Sequence, residues 1–346
     1  MKLIQCADLH LGAKIDGFPK EISAARRQEV RNSFARMTEY AVKNGVAAIL
    51  ISGDAFDRDE PFQKDVDFFY GLIQRCPQID FFYLRGNHDL RGEARKLPNL
   101  HFFQNAWTYY DCGGVTICGV ELSAANAQSI YSTLSLKESS KNIVMLHGQI
   151  GGEIHLAKLR DKCVDYLALG HIHEYAHGAI DGRGTYAYSG CLEGRGFDET
   201  GEKGFIELTI GETVTHRFIP FSVRKIERVR VDVSGLTEGY AMAKRAMAQT
   251  PFSRETIYRV DLVGEVDAQV DEFAPDVAAY LKNSCLYVSV KDCTKKKIDY
   301  EAYEFDASVR GEFVRTVRQS EEYTEDEKAQ IIAYGLRALA GREIDA

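Results

Sequence analysis

Five short segments of the chain each set a carboxylate, an amide or an imidazole close to glycine, directly after an apolar run. They are Asp8-Leu9-His10, Gly53-Asp54-Ala55-Phe56-Asp57, Gly86-Asn87-His88-Asp89, His147-Gly148 and Gly170-His171-Ile172-His173. Imidazole combined with carboxylate suits borderline divalent ions such as Mn²⁺, Fe²⁺ or Zn²⁺ better than Ca²⁺. Five of the nine histidines fall inside these segments, while His101, His155, His177 and His216 lie outside them. For those four, an ordinary core or surface imidazole is the plain reading. Together the segments offer the ligands of a two-metal hydrolytic centre. His171 and His173 lie two apart, so they face one side of a strand or, in a turn, straddle two ions. The glycines let the backbone turn sharply and approach an ion.

Such a centre needs elements that carry its donors to one place. The runs Leu3–Ile4, Ala47–Ile51, Phe81–Leu84, Ile143–Leu146 and Tyr166–Leu169 read as buried strands. Between them, Ser23–Asn44 places Val30, Phe34, Met37 and Ala41 at helical spacing, and Phe62–Arg75 is a second helical pattern. This βαβαβ order implies a parallel sheet with helices on its faces. Ligands gather at the carboxyl ends of such strands, so side chains scattered from Asp8 to His173 can meet in one cleft. Farther on, the helices thin out and short strands joined by glycine turns take over. The expected fold class is therefore α/β, in a layered α+β arrangement with two sheets. Near Pro220 the character changes. Residues 221–300 read as a separate small α/β domain without ligand segments. Residues 301–346 read as helical, with Thr324 and Glu327 capping a helix.

At 346 residues and 45% hydrophobic content the chain is expected to hold two domains with full cores. No stretch approaches the roughly 18 apolar residues of a membrane span. A strand begins at Lys2 with Asp8 close behind, which leaves no room for a signal peptide. The eight cysteines form no CxxC pair and read as reduced thiols of a cytoplasmic protein. The net charge is −8, with 24 basic against 28 acidic side chains up to Pro220 and 19 against 23 beyond it. Nothing in that balance draws a polyanion, so nucleic acid would need local basic patches, metal or a partner. Arg91, Arg95 and Lys96 are expected to rim the cleft, and Arg195, in a Gly-rich loop, to touch a backbone phosphate. Lys295–Lys297 reads as solvated surface.

The ordered set D-x-H, G-D-x-x-D, G-N-H-D, H and G-H-x-H resembles the calcineurin-like metallophosphoesterase superfamily over residues 1 to about 220. Ala7–Gly12, Gly53–Asp57 with Pro61, and Gly190–Phe197 resemble its DNA-repair exonuclease branch, which contains SbcD. Gly194–Gly204 is most similar to the YhaO-like members. The resemblance implies that Asp8, His10, Asp54 and His173 hold one ion, and that Asp54, Asn87, His147 and His171 hold a second. It further implies that His88 contacts the scissile phosphate and that Asp57 orients His88. Two divalent ions are implied, Mn²⁺ foremost, with Fe, Zn or Mg as alternatives, acting through an activated hydroxide on DNA. A homodimer and an SMC-like ATPase partner of the SbcC type are also implied, with residues 221–300 as a capping domain and the helices after Asp306 as a docking segment for that partner. Asp57 stands where eukaryotic and archaeal members of the branch carry His. Arg85 resembles the phosphate-binding arginine of Ser/Thr phosphatases, so a metallophosphatase or a cyclic-nucleotide or small-molecule phosphodiesterase is the alternative reading.

Overall fold

A computed structural model describes residues 1–89, 95–267, 270 and 272–341, in two compact units, Met1–Lys225 and Ile226–Ala346. Strand β1 (Lys2–Cys6) shows how the first unit is built. Ile4 and Cys6 pack with Val30, Phe34 and Met37 of helix α1 (Lys20–Lys43), whereas Leu3 joins Ile143, Met145, Tyr166 and Ala168 in a second core. A strand apolar on both faces must lie between two layers. The chain continues through β2 (Ala48–Ser52), α2 (Gln63–Gln74), β3 (Asp80–Leu84), β4 (Leu100–Phe102), β5 (Thr108–Cys112) and β6 (Val115–Gly119). It then forms β7 (Lys141–His147), β8 (Tyr166–Gly170), β9 (Ala176–Ala179), β10 (Thr185–Tyr188), β11 (Gly204–Ile210) and β12 (Val214–Pro220).

Two six-stranded sheets result, in the orders β12-β11-β1-β2-β3-β4 and β5-β6-β7-β8-β10-β9. Strands β1 to β4 run parallel, as do β6, β7, β8 and β10, and the remaining strands are antiparallel. Helices α1 and α2 cover the outer face of the first sheet, and the sheets meet through Leu50, Phe82, Ile117 and Met145. This is the layered two-sheet α/β architecture expected from the alternating pattern. Gln5 fixes the register across the seam. Its buried amide donates to the Leu169 and Ala187 carbonyls at 3.0 and 2.9 Å and its oxygen accepts from the Tyr166 hydroxyl.

The second unit contains β13 (Ile226–Asp232), α3 (Gly239–Gln249), β14 (Ile257–Val263), β15 (Glu265–Asp267), α4 (Ala274–Leu281), β16 (Tyr287–Asp292) and β17 (Lys295–Lys297), then helices α5 (Tyr300–Glu304), α6 (Val309–Gln319) and α7 (Glu325–Leu339). Strands β13, β14 and β16 form a parallel sheet whose Val231, Val260 and Leu262 share a core with Met242, Val277 and Leu281. Val314, Val317, Ile332 and Leu336 form a separate cluster from α6 and α7, and Thr324 and Glu327 complete a capping box. No helix among the described residues is long and apolar enough to cross a membrane.

One buried ionic cluster ties α1 to the loop after β10. Arg26, fully buried, donates to Glu29, to Glu193 at 2.8 Å and to the Gly194 carbonyl at 2.6 Å. Ser33 donates to the other Glu193 oxygen at 2.6 Å. Removing the guanidinium leaves the buried Glu193 carboxylate to the neutral donors Ser33 and Val223, while Glu29 keeps Arg224. Arg26→Ala is expected to cost about 3–5 kcal/mol in urea unfolding; a variant within about 0.5 kcal/mol of wild type would show that the cluster holds nothing.

Candidate metal centre

The donors come together because the ends of β1, β2, β3, β7 and β8 lie side by side. Asp8 and His10 donate from their backbone nitrogens to the Gly53 and Asp54 carbonyls at 3.0 and 2.9 Å, and Gly148 donates to Gly170 at 3.2 Å. Asp8, His10, Asp54 and His171 have φ of 53, 45, 51 and 101°, four of the six non-glycine residues with positive φ among those described. Such conformations cost of order 1–3 kcal/mol each and cluster where function demands them. Two glycines permit the crowding. A Cβ on Gly53 would overlap the His147 ring, and one on Gly86 would overlap the Asp54 carboxylate.

All seven residues predicted as ligands converge. His10 Nε2 and His173 Nε2 lie 3.2 Å apart, each 3.8 Å from a carboxylate oxygen, of Asp54 and Asp8 respectively. His147 Nε2 lies 3.3 Å from Asp54 Oδ2 and 3.0 Å from Asn87 Oδ1, which is also 3.1 Å from His171 Nδ1. The groups Asp8–His10–His173 and Asp8–Asp54–His147 each bring their ligand atoms within 4.8 Å of one another.

The partners assign the tautomers. His10 Nδ1 faces Asp57 Oδ1 at 3.0 Å, His173 Nδ1 faces Glu199 Oε1 at 2.8 Å, and His147 Nδ1 faces the Ser52 carbonyl at 2.9 Å. In His10 and His147 the Nδ1 therefore donates, whereas His173 Nδ1 sits between the Glu199 carboxylate and the Arg195 guanidinium, whose Nη2 is 3.1 Å away. The His10 and His173 Nε2 atoms meet at 3.2 Å, a spacing that a shared proton or a cation between them satisfies. The donor set thus fits divalent ions.

The electrostatics agree. Burial pushes the Asp8 carboxyl up to about 7, with Asp54 adding to the rise and His147 and His173 opposing it. Burial also brings His10 down to about 4, so its ring is neutral. Burial works against the charge of Asp54, yet the His147 hydrogen bond and the neighbouring imidazoles hold its carboxyl at about 2. His147 itself, despite burial, is raised to about 9 by Asp54 and Asp8.

Around the donors, four expectations need correction or completion. The Asp57 carboxylate hydrogen-bonds His10 rather than His88; it lies within 4.8 Å of a His88 ring nitrogen, and His88 Nδ1 is met at 3.2 Å by the Asp57 main-chain oxygen. The cause is a parallel bridge between Leu11 and Phe56, which lays Asp57 alongside His10. Arg195, expected at a substrate phosphate, is engaged with Glu199 and, at 3.4 Å, with Asp57. Arg85 is likewise committed, bidentate to Glu121 at 2.7 and 2.9 Å. Arg91 lies outside the described residues, while Arg95 pairs with Asp67 at 2.7 Å.

Three residues the sequence did not single out matter here. Glu199 holds His173, and Lys203 donates to the His173 carbonyl at 2.8 Å. Asp89 accepts from Gly86 and Phe56 backbone nitrogens at 2.7 and 3.2 Å and from the Tyr83 hydroxyl, locking the loop that presents Asn87 and His88. Each is a lone acid or base with no periodicity. Asp89 stands inside the G-N-H-D segment and Glu199 and Lys203 inside Gly194–Gly204, and that placement is the signal that marks them.

Residues 1–175 match the calcineurin-like phosphoesterase family, and the chain belongs to it. Its relatives include the uncharacterized metallophosphoesterase YhaO of Bacillus subtilis, 27% identical over 68% of this chain and 64% of YhaO. The DNA double-strand break repair protein Mre11 of Methanosarcina acetivorans is 24% identical over 86% of this chain and 51% of its own length. The chain thus spans between half and two thirds of these two relatives. A dimetal phosphatase from Danio rerio aligns at 12% identity and a TM-score of 0.47, over 62% of this chain and 95% of its own.

Protons and metal compete for these donors, since ligands must be deprotonated to bind. Without metal, the raised Asp8 value makes its ionised form a burden that grows as pH rises toward 7, and His147 loses its ion-pair stabilisation as pH rises through about 9. Metal binding relieves both. The gain in Tm on adding Mn²⁺ to the metal-free protein is expected to widen steadily from about pH 6 to about pH 8.5. A gain that is flat or shrinks with rising pH would contradict this.

Proposed function

We propose that this protein is a two-metal phosphodiesterase acting on DNA, a nuclease of the repair type. The observation that carries the hydrolytic part is the convergence of Asp8, His10, Asp54, Asn87, His147, His171 and His173 on one pocket. What supports DNA is the similarity, across 86% of this chain, to a protein named for DNA double-strand break repair. Asp8, His10, Asp54 and His173 would hold one ion and Asp54, Asn87, His147 and His171 the other, with Mn²⁺ the expected metal. When bound, the two ions supply an acidified water and charge neutralisation at the phosphate.

The rest falls to side chains. His88 is exposed, and its Nδ1 is occupied by the Asp57 carbonyl, which leaves Nε2 for substrate. In its doubly protonated form, with Nδ1–H held by the Asp57 carbonyl, it would hydrogen-bond a phosphate oxygen through Nε2–H and pass that proton to the departing oxygen. Asp57 serves indirectly, by fixing His10 with its carboxylate and His88 with its carbonyl. Residues 1–220 would form the phosphoesterase domain and 221–300 a cap, with 301–346 as a docking segment for an SMC-like ATPase of the SbcC type in a dimeric, cytoplasmic assembly.

A second reading rests on one observation. Arg85, Arg95 and Arg195 all face carboxylates in a chain of net charge −8, which favours a small phosphoester over a polyanion. A matched assay separates the two. With Mn²⁺ the protein is expected to release nucleotides from linear DNA, and His88→Ala to slow this about 10²–10⁴-fold while keeping its metal. Turnover of small phosphodiesters or phosphomonoesters, with no action on any DNA form alone or with the partner ATPase, would overturn the DNA reading.

A further inference from the structure

The two imidazoles whose Nε2 atoms face each other are tied together behind the centre as well as in front of it. His10 Nδ1 meets Asp57, and His173 Nδ1 meets Glu199. One guanidinium spans both carboxylates. Arg195 reaches Asp57 Oδ1 at 3.4 Å, its backbone nitrogen and Nε reach Glu199 oxygens at 2.8 and 3.1 Å, and its Nη2 lies 3.1 Å from His173 Nδ1 itself. The circuit His10–Asp57–Arg195–Glu199–His173 closes on the 3.2 Å gap between the two Nε2 atoms. Glu199 is 7% exposed, so it is not a chance surface contact. The same loop grips His173 a second time, through Lys203 on its carbonyl. His147 and His171 have no carboxylate on Nδ1 among the described residues: His147 Nδ1 is oriented by the neutral Ser52 carbonyl, and His171 Nδ1 faces Asn87.

We propose that Glu199 and Arg195 are positioning residues for one metal position only. They cross-brace His10 and His173 at a fixed spacing and so set the affinity of the ion between them, while the ion at Asn87, His147 and His171 is insensitive to them. A carboxylate on the far ring nitrogen fixes the tautomer and raises the basicity of the ligand, and losing such a partner typically costs about 10- to 100-fold in metal affinity. The guanidinium matters for its shape. Its rigid fork of donors reaches Asp57 and Glu199 at once with fixed geometry, which a flexible ammonium does not reproduce. This inference rests on the dimetal reading above.

The test is Mn²⁺ titration of metal-free protein by calorimetry, with the spin-coupled manganese-pair signal followed by electron paramagnetic resonance. Wild type is expected to take up two ions. Glu199→Gln is expected to bind one at wild-type affinity and the other about 10- to 100-fold more weakly, with the pair signal appearing only at correspondingly higher Mn²⁺. Arg195→Lys retains the charge and loses the span, so it is expected to weaken the same ion by a smaller factor. It also serves as the test if Glu199→Gln does not fold. Two ions bound at wild-type affinity in the folded variants, or equal weakening of both ions, would overturn the brace. A wild type that binds fewer than two ions would instead overturn the dimetal reading.

Discussion

Asp54 is approached from three directions, and the centre depends on that convergence. Its Oδ1 accepts from the His88 backbone nitrogen at 3.0 Å, its Oδ2 lies 3.3 Å from His147 Nε2, and its carbonyl accepts from the His10 backbone nitrogen at 2.9 Å. One residue at the end of β2 thus meets segments following β1, β3 and β7. It does so in a left-handed conformation, with Gly86 passing too close to tolerate a side chain. Two carboxylates, Asp8 and Asp54, share this buried space with several imidazoles. A concentration of donors so poorly solvated has a natural occupant in cations.

The scaffold supplies rigidity in proportion. The five donor segments leave strands buried on both faces, so their ends have little freedom to drift. Behind them stands a layer of acids and bases: Asp89 under the Asn87–His88 turn, Glu199 and Lys203 on His173, and Asp57 on His10. The Arg26–Glu193 cluster then anchors the loop that brings Arg195 and Glu199 to the centre. A side chain of α1 is in this way connected to a metal-type imidazole through one short loop.

Much of this was legible in the residues. The apolar runs located the inner strands, the polar segments after them held the candidate donors, and the resemblance to the metallophosphoesterases picked seven of them out. The capping box at Thr324 was equally plain, being a local pattern. The sequence was silent on which carboxylate meets which imidazole. Asp57 is close to His88 in motif logic, yet the Leu11–Phe56 bridge, a contact 45 positions long in sequence, gives it to His10. Arg85 and Arg195 read as free cations because Glu121 carries no motif and Glu199, though inside Gly194–Gly204, has nothing in its spacing that pairs it with an arginine. Order along a chain identifies the donors to a centre far better than it identifies the layer that orients them.

The central claim is that the seven donors hold two ions sharing Asp54. Anomalous scattering from crystals of the protein grown with Mn²⁺ measures this directly. The expected result is two peaks about 3.5–4 Å apart, one between His10 and His173 and the other beside Asn87, His147 and His171. A single peak, or peaks away from Asp54, would contradict it.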